Sequence, residues 1–152
     1  MTAGGFLFFK KVPVLLLENM GRSRAFSIWV SPSEPFSISY VHSIYKDPVV
    51  EEFQIHQGAM VLKGVRTNHP GILEYYQYED MKAFHPMDRK FGVLFFRIGM
   101  GEPQSLIIRD KKISFSKVGE KGDRIRLALS LVSMGGYLFH RVFPQTLTHG
   151  SH

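Results

Sequence analysis

The sequence predicts an all-β protein, either an antiparallel β-sandwich or a closed barrel of about nine or ten strands. Apolar and polar residues alternate with a two-residue period in one segment after another, which is the pattern of a half-buried strand. These segments follow one another at intervals of roughly 8 to 12 residues, without helical stretches between them. The 13 Phe and 14 Gly residues, against a single Trp, favour pleated strands and tight turns.

The individual strands are placed where the alternation is clearest. They are predicted at residues 12–17, 26–30, 36–42, 49–56, 60–65, 91–98, 105–109, 112–115 and 124–131. The period is lost between residues 66 and 89, so residues 68–86 are expected to form an irregular excursion over one end of the sheet. A short C-terminal helix is predicted within residues 133–143.

Length and composition indicate one domain. A chain of 152 residues with 44% apolar residues can bury most of its unfolded apolar surface in a single core. We assign this β domain to residues 12–145, and residues 146–152 to a flexible tail. Residues 1–11 are interpreted as a leader or the remnant of a membrane anchor, because an apolar piece precedes Lys10 and Lys11. A first strand or a disordered leader at residues 6–9 is the alternative, and the piece is far shorter than the roughly 20 residues of a spanning helix.

Charge and residue types limit the ligands that the chain is expected to bind. The net charge of +6 comes from scattered basic pairs, which predicts a solvated surface first and contact with lipid headgroups second. No nucleic-acid-binding motif accompanies the charge, so no nucleic acid is expected as a partner. The chain has no Cys, which excludes disulfides and thiolate metal sites, and the histidines lack metal-site spacing. We therefore predict no metal and no cofactor.

A histidine and a carboxylate lie at the two ends of one predicted hairpin. Glu51 falls on the inward face of its strand with Val49 and Phe53, and a carboxylate at such a position needs a partner. His42 ends the inward face of the preceding strand, so we expect its imidazole to contact Glu51, with the Ser43 hydroxyl close by. Such a pair is either a buried lock that sets the strand register or a site for ligand binding or proton transfer.

Three tyrosines mark the irregular region. Tyr75, Tyr76 and Tyr78 are predicted to form the lip of a pocket, because their rings are apolar while their hydroxyls need water or a ligand. Arg97 interrupts an apolar strand and is the further candidate for the same polar site as His42. The alternative is an ordinary loop that covers one end of the sheet.

Residues 42–51 also resemble the signature of a protein family. The pairs His42-Ser43 and Pro48-Val49, together with Glu51, match recurrent positions of the domain of unknown function 1850 family. Its members are small exported prokaryotic proteins, often encoded beside TRAP-type solute importers with TAXI receptors. The similarity extends over about residues 12–131, but residues 68–74 lack the Gly-rich turn ending in Gly-Leu-Pro that many relatives carry.

The resemblance implies an uncharacterised binding or accessory protein without enzymatic activity. It implies an extracytoplasmic location, periplasmic or anchored at the cell surface, with a transporter or its solute receptor as partner and a small molecule as ligand. Two other functions stay open from the residues: a small hydrolase or isomerase that uses His42 and Glu51, and a protein interaction module. An open pocket favours the enzyme, whereas a paired and sealed site favours the structural lock.

Overall fold

A computed structural model describes residues 5, 8–76, 82 and 84–137. These residues include ten β-strands, a short α-helix and one turn of 3-10 helix, besides helical residues next to both ends of the described chain. The strands are β1 (Lys11–Asn19), β2 (Ala25–Trp29), β3 (Pro35–Val41), β4 (Pro48–His56), β5 (Ala59–Arg66), β6 (Phe84–Phe91), β7 (Val93–Arg97), β8 (Ser105–Ile108), β9 (Lys111–Ser114) and β10 (Arg124–Ser133). The helix α1 spans Pro70–Tyr75, and the 3-10 helix spans Phe115–Lys117.

The strands form two antiparallel sheets, and the prediction of an all-β sandwich is confirmed. One sheet has four strands in the order β2-β1-β10-β7, and the other has six in the order β6-β5-β4-β3-β8-β9. Over the described part of the chain the two sheets stay separate, so the fold is a sandwich and not a closed barrel. Neighbouring strands of the six-stranded sheet mostly follow each other in sequence, as expected for hairpin connections.

The core lies between the two sheets and follows the predicted inward faces. Leu15, Leu17 and Leu127 contribute from the four-stranded sheet and are fully buried. They pack with buried residues of the six-stranded sheet, among them Ile38 and Phe53. Residues two apart along a strand share a face, so the alternation of apolar and polar residues places the apolar side chains of both sheets in this core layer.

The region between residues 66 and 89 is more regular than predicted. Pro70 begins α1, which suits a residue that lacks a backbone N–H, and the His69 side chain caps the helix by accepting from the Gly71 amide. Strand β6 begins at Phe84 and pairs with β5, so the prediction of an irregular excursion over residues 68–86 is wrong at both ends. Gly64 permits this pairing, since a Cβ there would lie 2.2 Å from the Phe84 ring. Residues 77–81 and 83 lie outside the described residues.

The residue before β1 and the residue after β10 are joined by a backbone hydrogen bond. Phe8 and Phe9 are helical, so the alternative of a first strand at residues 6–9 is wrong for these two residues. The Lys10 carbonyl accepts from the Met134 amide at 2.9 Å, and Lys11 already belongs to β1. Residues 134–137 are helical, as predicted, and the rest of the predicted C-terminal helix and the tail at 146–152 lie outside the described residues. None of the described helices is long and apolar enough to cross a bilayer.

Candidate functional site

The Glu51 carboxyl lies on the inner face of the six-stranded sheet. Its backbone stands opposite Ile38 on β3 and Val65 on β5, and both of these neighbours are fully buried. The Tyr76 hydroxyl donates to Glu51 Oε1 over 2.7 Å. The inward position predicted for Glu51 is therefore correct, and the partner that this position requires is a tyrosine hydroxyl.

Tyr76 is held over the carboxyl by helix α1. Tyr76 ends the helix, and its amide donates to the carbonyls of Ile72 and Glu74. Ile72 and Leu73 are buried and anchor the helix on the sandwich. A six-residue helix is unstable by itself, so the packing of these two side chains is what positions Tyr76.

A second tyrosine extends the network. The hydroxyls of Tyr40, on β3, and Tyr76 are 3.0 Å apart. A tyrosine hydroxyl has one hydrogen, and that of Tyr76 is donated to Glu51, so Tyr40 is the donor to Tyr76. The order Tyr40, Tyr76, Glu51 forms a chain of hydrogen bonds that ends on a carboxyl oxygen. We refer to these three residues as the tyrosine–glutamate network.

Burial governs protonation in this network. It raises the pKa of the Glu51 carboxyl, while hydrogen bonding within the tyrosine–glutamate network, chiefly from Tyr76, acts in the opposite direction. Burial, and then the charge of Glu51, raise the pKa of Tyr40 to about 12. The same two causes raise the pKa of Tyr76. Both phenols are therefore protonated donors at neutral pH, and Glu51 is the group of the network that titrates first.

The raised pKa of Glu51 predicts a pH dependence of stability. A carboxyl whose pKa is higher in the folded protein binds its proton more tightly there, so its contribution to stability is full below the ordinary glutamate pKa. The contribution is lost as the pH rises through the raised pKa. The Glu51→Gln variant has no such titration, and its melting temperature should rise relative to wild type as the pH increases through this window.

Thermal melts of the two proteins from acidic to neutral pH measure this difference. Glu52→Gln is the matched control, because Glu52 is the next residue but forms an ion pair with Arg66 on the outer face. Its melting temperature should show no similar trend against wild type. A constant difference between Glu51→Gln and wild type, or one that falls with pH, contradicts the assignment.

His42 does not contact Glu51 in the way that the sequence predicts. Strand β3 ends at Val41, and His42 belongs to the turn, where its amide donates to the Asp47 carbonyl. The residue opposite Glu51 is Ile38, and His42 lies four residues further along, about 13 Å at the rise of a strand. Among the described residues no hydrogen bond joins His42 and Glu51. The predicted pair is wrong because the turn comprises residues 42–47 instead of the predicted 43–48, so the register pairs Val41 with Pro48 and Glu51 with Ile38.

His42 instead begins a stack of three rings outside the network. Its ring centroid lies 5.1 Å from that of Tyr45, and the Tyr45 centroid lies 4.3 Å from that of His69. His42 Nδ1 accepts from the amides of Ile44 and Tyr45, and His69 Nδ1 accepts from the Gly71 amide. Both imidazoles thus use Nδ1 as an acceptor from the backbone. This role in the turn and in the helix cap is structural.

The other predicted site residues fall in different places. Ser43 is exposed in the β3–β4 turn. Tyr75 is 76% exposed, and its ring meets the Tyr76 ring edge to face. Arg97 lies in β7 of the other sheet, opposite Arg124, and the structure does not bring it to Glu51. Tyr78 lies outside the described residues.

Three residues near the site were missed in the sequence. Tyr40 lies two residues after Ile38 on the same strand, and this spacing places it on the face of Glu51. His69 had no recognisable cap motif around it. His85 is buried on β6 opposite Val65, which itself stands opposite Glu51, so His85 belongs to the same row across the sheet. His85 and Met87 are two residues apart, which is the spacing of side chains on one face of a strand, but the strand was predicted only from residue 91.

A shallow surface depression adjoins Tyr40. Its volume is about 120 Å³, and residues from the ends of β3, β4 and β8 and from β9 line it: Ser39, Tyr40, Val41, Pro48, Val49, Val50, Glu102, Pro103, Ser105 and Lys112. This volume holds a few water molecules and is below the size of a usual ligand pocket. No cluster of three metal-binding side chains occurs among the described residues.

Comparisons with known proteins returned no relatives: a scan against protein-family models, a search of curated proteins and a search of solved structures found no match to this chain.

Proposed function

We propose that this protein is an extracytoplasmic binding or accessory protein, periplasmic or anchored at the cell surface, that acts without enzymatic activity beside a TRAP-type solute importer. The link to the importer, and the transporter or its solute receptor as partner, are supported by the resemblance of residues 42–51 alone. The binding function is supported by the tyrosine–glutamate network.

The observation that supports binding is a partly buried carboxyl that has no cation beside it among the described residues. Glu51 accepts from Tyr76 through Oε1, and a carboxyl group has further acceptor positions. A ligand with an N–H or O–H donor would use these positions, and the exposed Tyr75 ring would cover its apolar part. The ligand class that fits is a small molecule with a donor group next to an apolar group.

The alternative of a hydrolase or isomerase is disfavoured by the same geometry. An acid–base pair needs its two groups within hydrogen-bond reach, and Glu51 is engaged by Tyr76 while His42 Nδ1 accepts from the backbone. A catalytic role would have to rest on Glu51 with the two phenols. Their raised pKa values keep both hydroxyls protonated at neutral pH, and such groups are poor bases.

A ligand screen tests the proposal. Amino acids, amines, organic acids and sugars are added to the protein, and the tyrosine ring signals are followed by NMR together with the melting temperature. We expect at least one compound to shift the signals of Tyr75 and Tyr76 and to raise the melting temperature. Glu51→Gln should weaken this binding, whereas Glu52→Gln should leave it unchanged. If no compound class shifts these two tyrosines, or if Glu51→Gln binds as tightly as wild type, the proposal is wrong.

A further inference from the structure

Two arginines lie directly opposite each other at one end of the four-stranded sheet. Arg97 on β7 and Arg124 on β10 are cross-strand neighbours, and both side chains are exposed. Like charges in this position repel each other and destabilise the pair of strands. Neither arginine has a carboxylate partner among the described residues. The pair therefore has the charge and the exposure of a site for anions.

Large apolar side chains surround the two arginines. Phe95 shares the face of Arg97, is 53% exposed, and lies 6.0 Å below the Arg124 guanidinium. Met20 is 53% exposed, and its amide donates to the Arg124 carbonyl at 2.9 Å, so it adjoins the pair. Met100 is 81% exposed and follows Ile98, whose amide donates to the Asp123 carbonyl next to Arg124. We call these residues the arginine–methionine end.

Three acidic residues near the two arginines already form ion pairs with other arginines. Glu18 binds Arg126, and Asp123 binds Arg22, over 2.6 and 3.1 Å. Glu120 lies between Arg22 and Arg24. The carboxylates of Glu18, Glu120 and Asp123 are thus neutralised by other arginines, and the charges of Arg97 and Arg124 are available to an external partner.

We propose that the arginine–methionine end docks on the surface of a bilayer that contains anionic phospholipids. A guanidinium group binds phosphate through two parallel hydrogen bonds, and adjacent arginines on a sheet present two such forks to a layer of headgroups. Exposed Phe and Met side chains gain free energy when they enter the boundary between headgroups and acyl chains. The net charge of +6 attracts the whole protein to a negative surface. This surface is distinct from the network to which ligand binding is assigned, so the two proposals fail separately.

Vesicle sedimentation tests the docking. The full chain is mixed with vesicles of phosphatidylcholine and with vesicles of phosphatidylcholine and phosphatidylglycerol in equal amounts, at low and at high salt. We expect binding to the anionic vesicles that weakens with salt, and little binding to the neutral ones. Arg97→Glu with Arg124→Glu should lower the affinity for anionic vesicles about thirtyfold or more, since two basic residues that each contribute about 1 kcal/mol are lost and two negative charges are added.

A matched double variant separates local docking from general charge. Lys111→Glu with Lys112→Glu changes the net charge by the same amount in β9 of the other sheet. It should cost clearly less affinity than the arginine pair. An equal loss in the two double variants, or equal binding to neutral and anionic vesicles, overturns the proposal. The proposal is also overturned if the protein does not bind the vesicles but binds a single-stranded oligonucleotide, and if that binding is lost in the Arg97→Glu and Arg124→Glu double variant.

The depth of insertion gives a readout that does not depend on charge-reversed variants. Phe95→Trp in a Trp29→Phe background carries its only tryptophan at the proposed contact, while the natural Trp29 lies on β2, at the opposite edge of the same sheet. Anionic vesicles with brominated acyl chains should quench the fluorescence of Phe95→Trp more strongly than that of Trp29 in the wild type. Equal quenching of the two, or none, contradicts insertion at this end even if the arginine variants fail to fold.

Discussion

Phe115→Ala is expected to lower the free energy of unfolding by about 3–5 kcal/mol, the usual cost of removing a buried phenyl ring. Phe115 is fully buried, and its ring meets that of Phe96 edge to face with 5.1 Å between the centroids. It begins the 3-10 helix after β9, and its amide donates to the Gln104 carbonyl. The ring therefore joins the six-stranded sheet to β7 of the other sheet, and the cavity left by alanine cannot close without moving both.

Urea unfolding of wild type and variant measures this loss. Phe95→Ala is the control, since Phe95 is next to Phe96 in the sequence but exposed on the outer face. Its cost should stay below about 1 kcal/mol, because it loses one cation–π contact and little buried area. Equal losses for the two variants would show that Phe115 does not form part of the inter-sheet core.

Glu51→Ala is expected to lower the free energy of unfolding by about 1–3 kcal/mol, because the Tyr76 hydroxyl loses its acceptor in a partly buried place. The loss should be greater at acidic than at neutral pH, since the raised pKa of Glu51 makes the wild type gain stability from the protonated carboxyl. Tyr76→Phe removes the hydroxyl that donates to Glu51, and thus the same hydrogen bond, while the packing of the ring should stay intact.

Glu52→Ala is the control for this second prediction. Glu52 forms an ion pair with Arg66, and both side chains are partly exposed to water. Such pairs contribute about 1 kcal/mol or less, so the loss should be much smaller than for Glu51→Ala. Denaturant unfolding that gives the same loss for both variants would show that Glu51 does not face inward.

Much of the sandwich could be predicted from local alternation. Nine of the ten described strands were located within a few residues of their observed bounds, from β1 at Lys11–Asn19 to β10 at Arg124–Ser133. The period of two is a local property of the backbone, since successive side chains point to opposite faces of a strand. The same rule placed Glu51 on the inner face correctly. Strand β6 was missed because Pro86 and Arg89 interrupt its pattern, while the pairing with β5 that holds it depends on Gly64.

The partners of the inward side chains were decided only by the tertiary structure. The hairpin register depends on where the turn lies, and a turn at residues 42–47 places Ile38 opposite Glu51 and His42 level with Asp47. Tyr76 reaches Glu51 from 25 residues away because the buried side chains of Ile72 and Leu73 fix α1 on the sheet. Spacing along the chain carries no information on such a contact. The sequence by itself therefore determined nine of the ten described strands and the inward face of Glu51. Tertiary packing determined which side chains meet, because register and helix docking are set by contacts between distant segments.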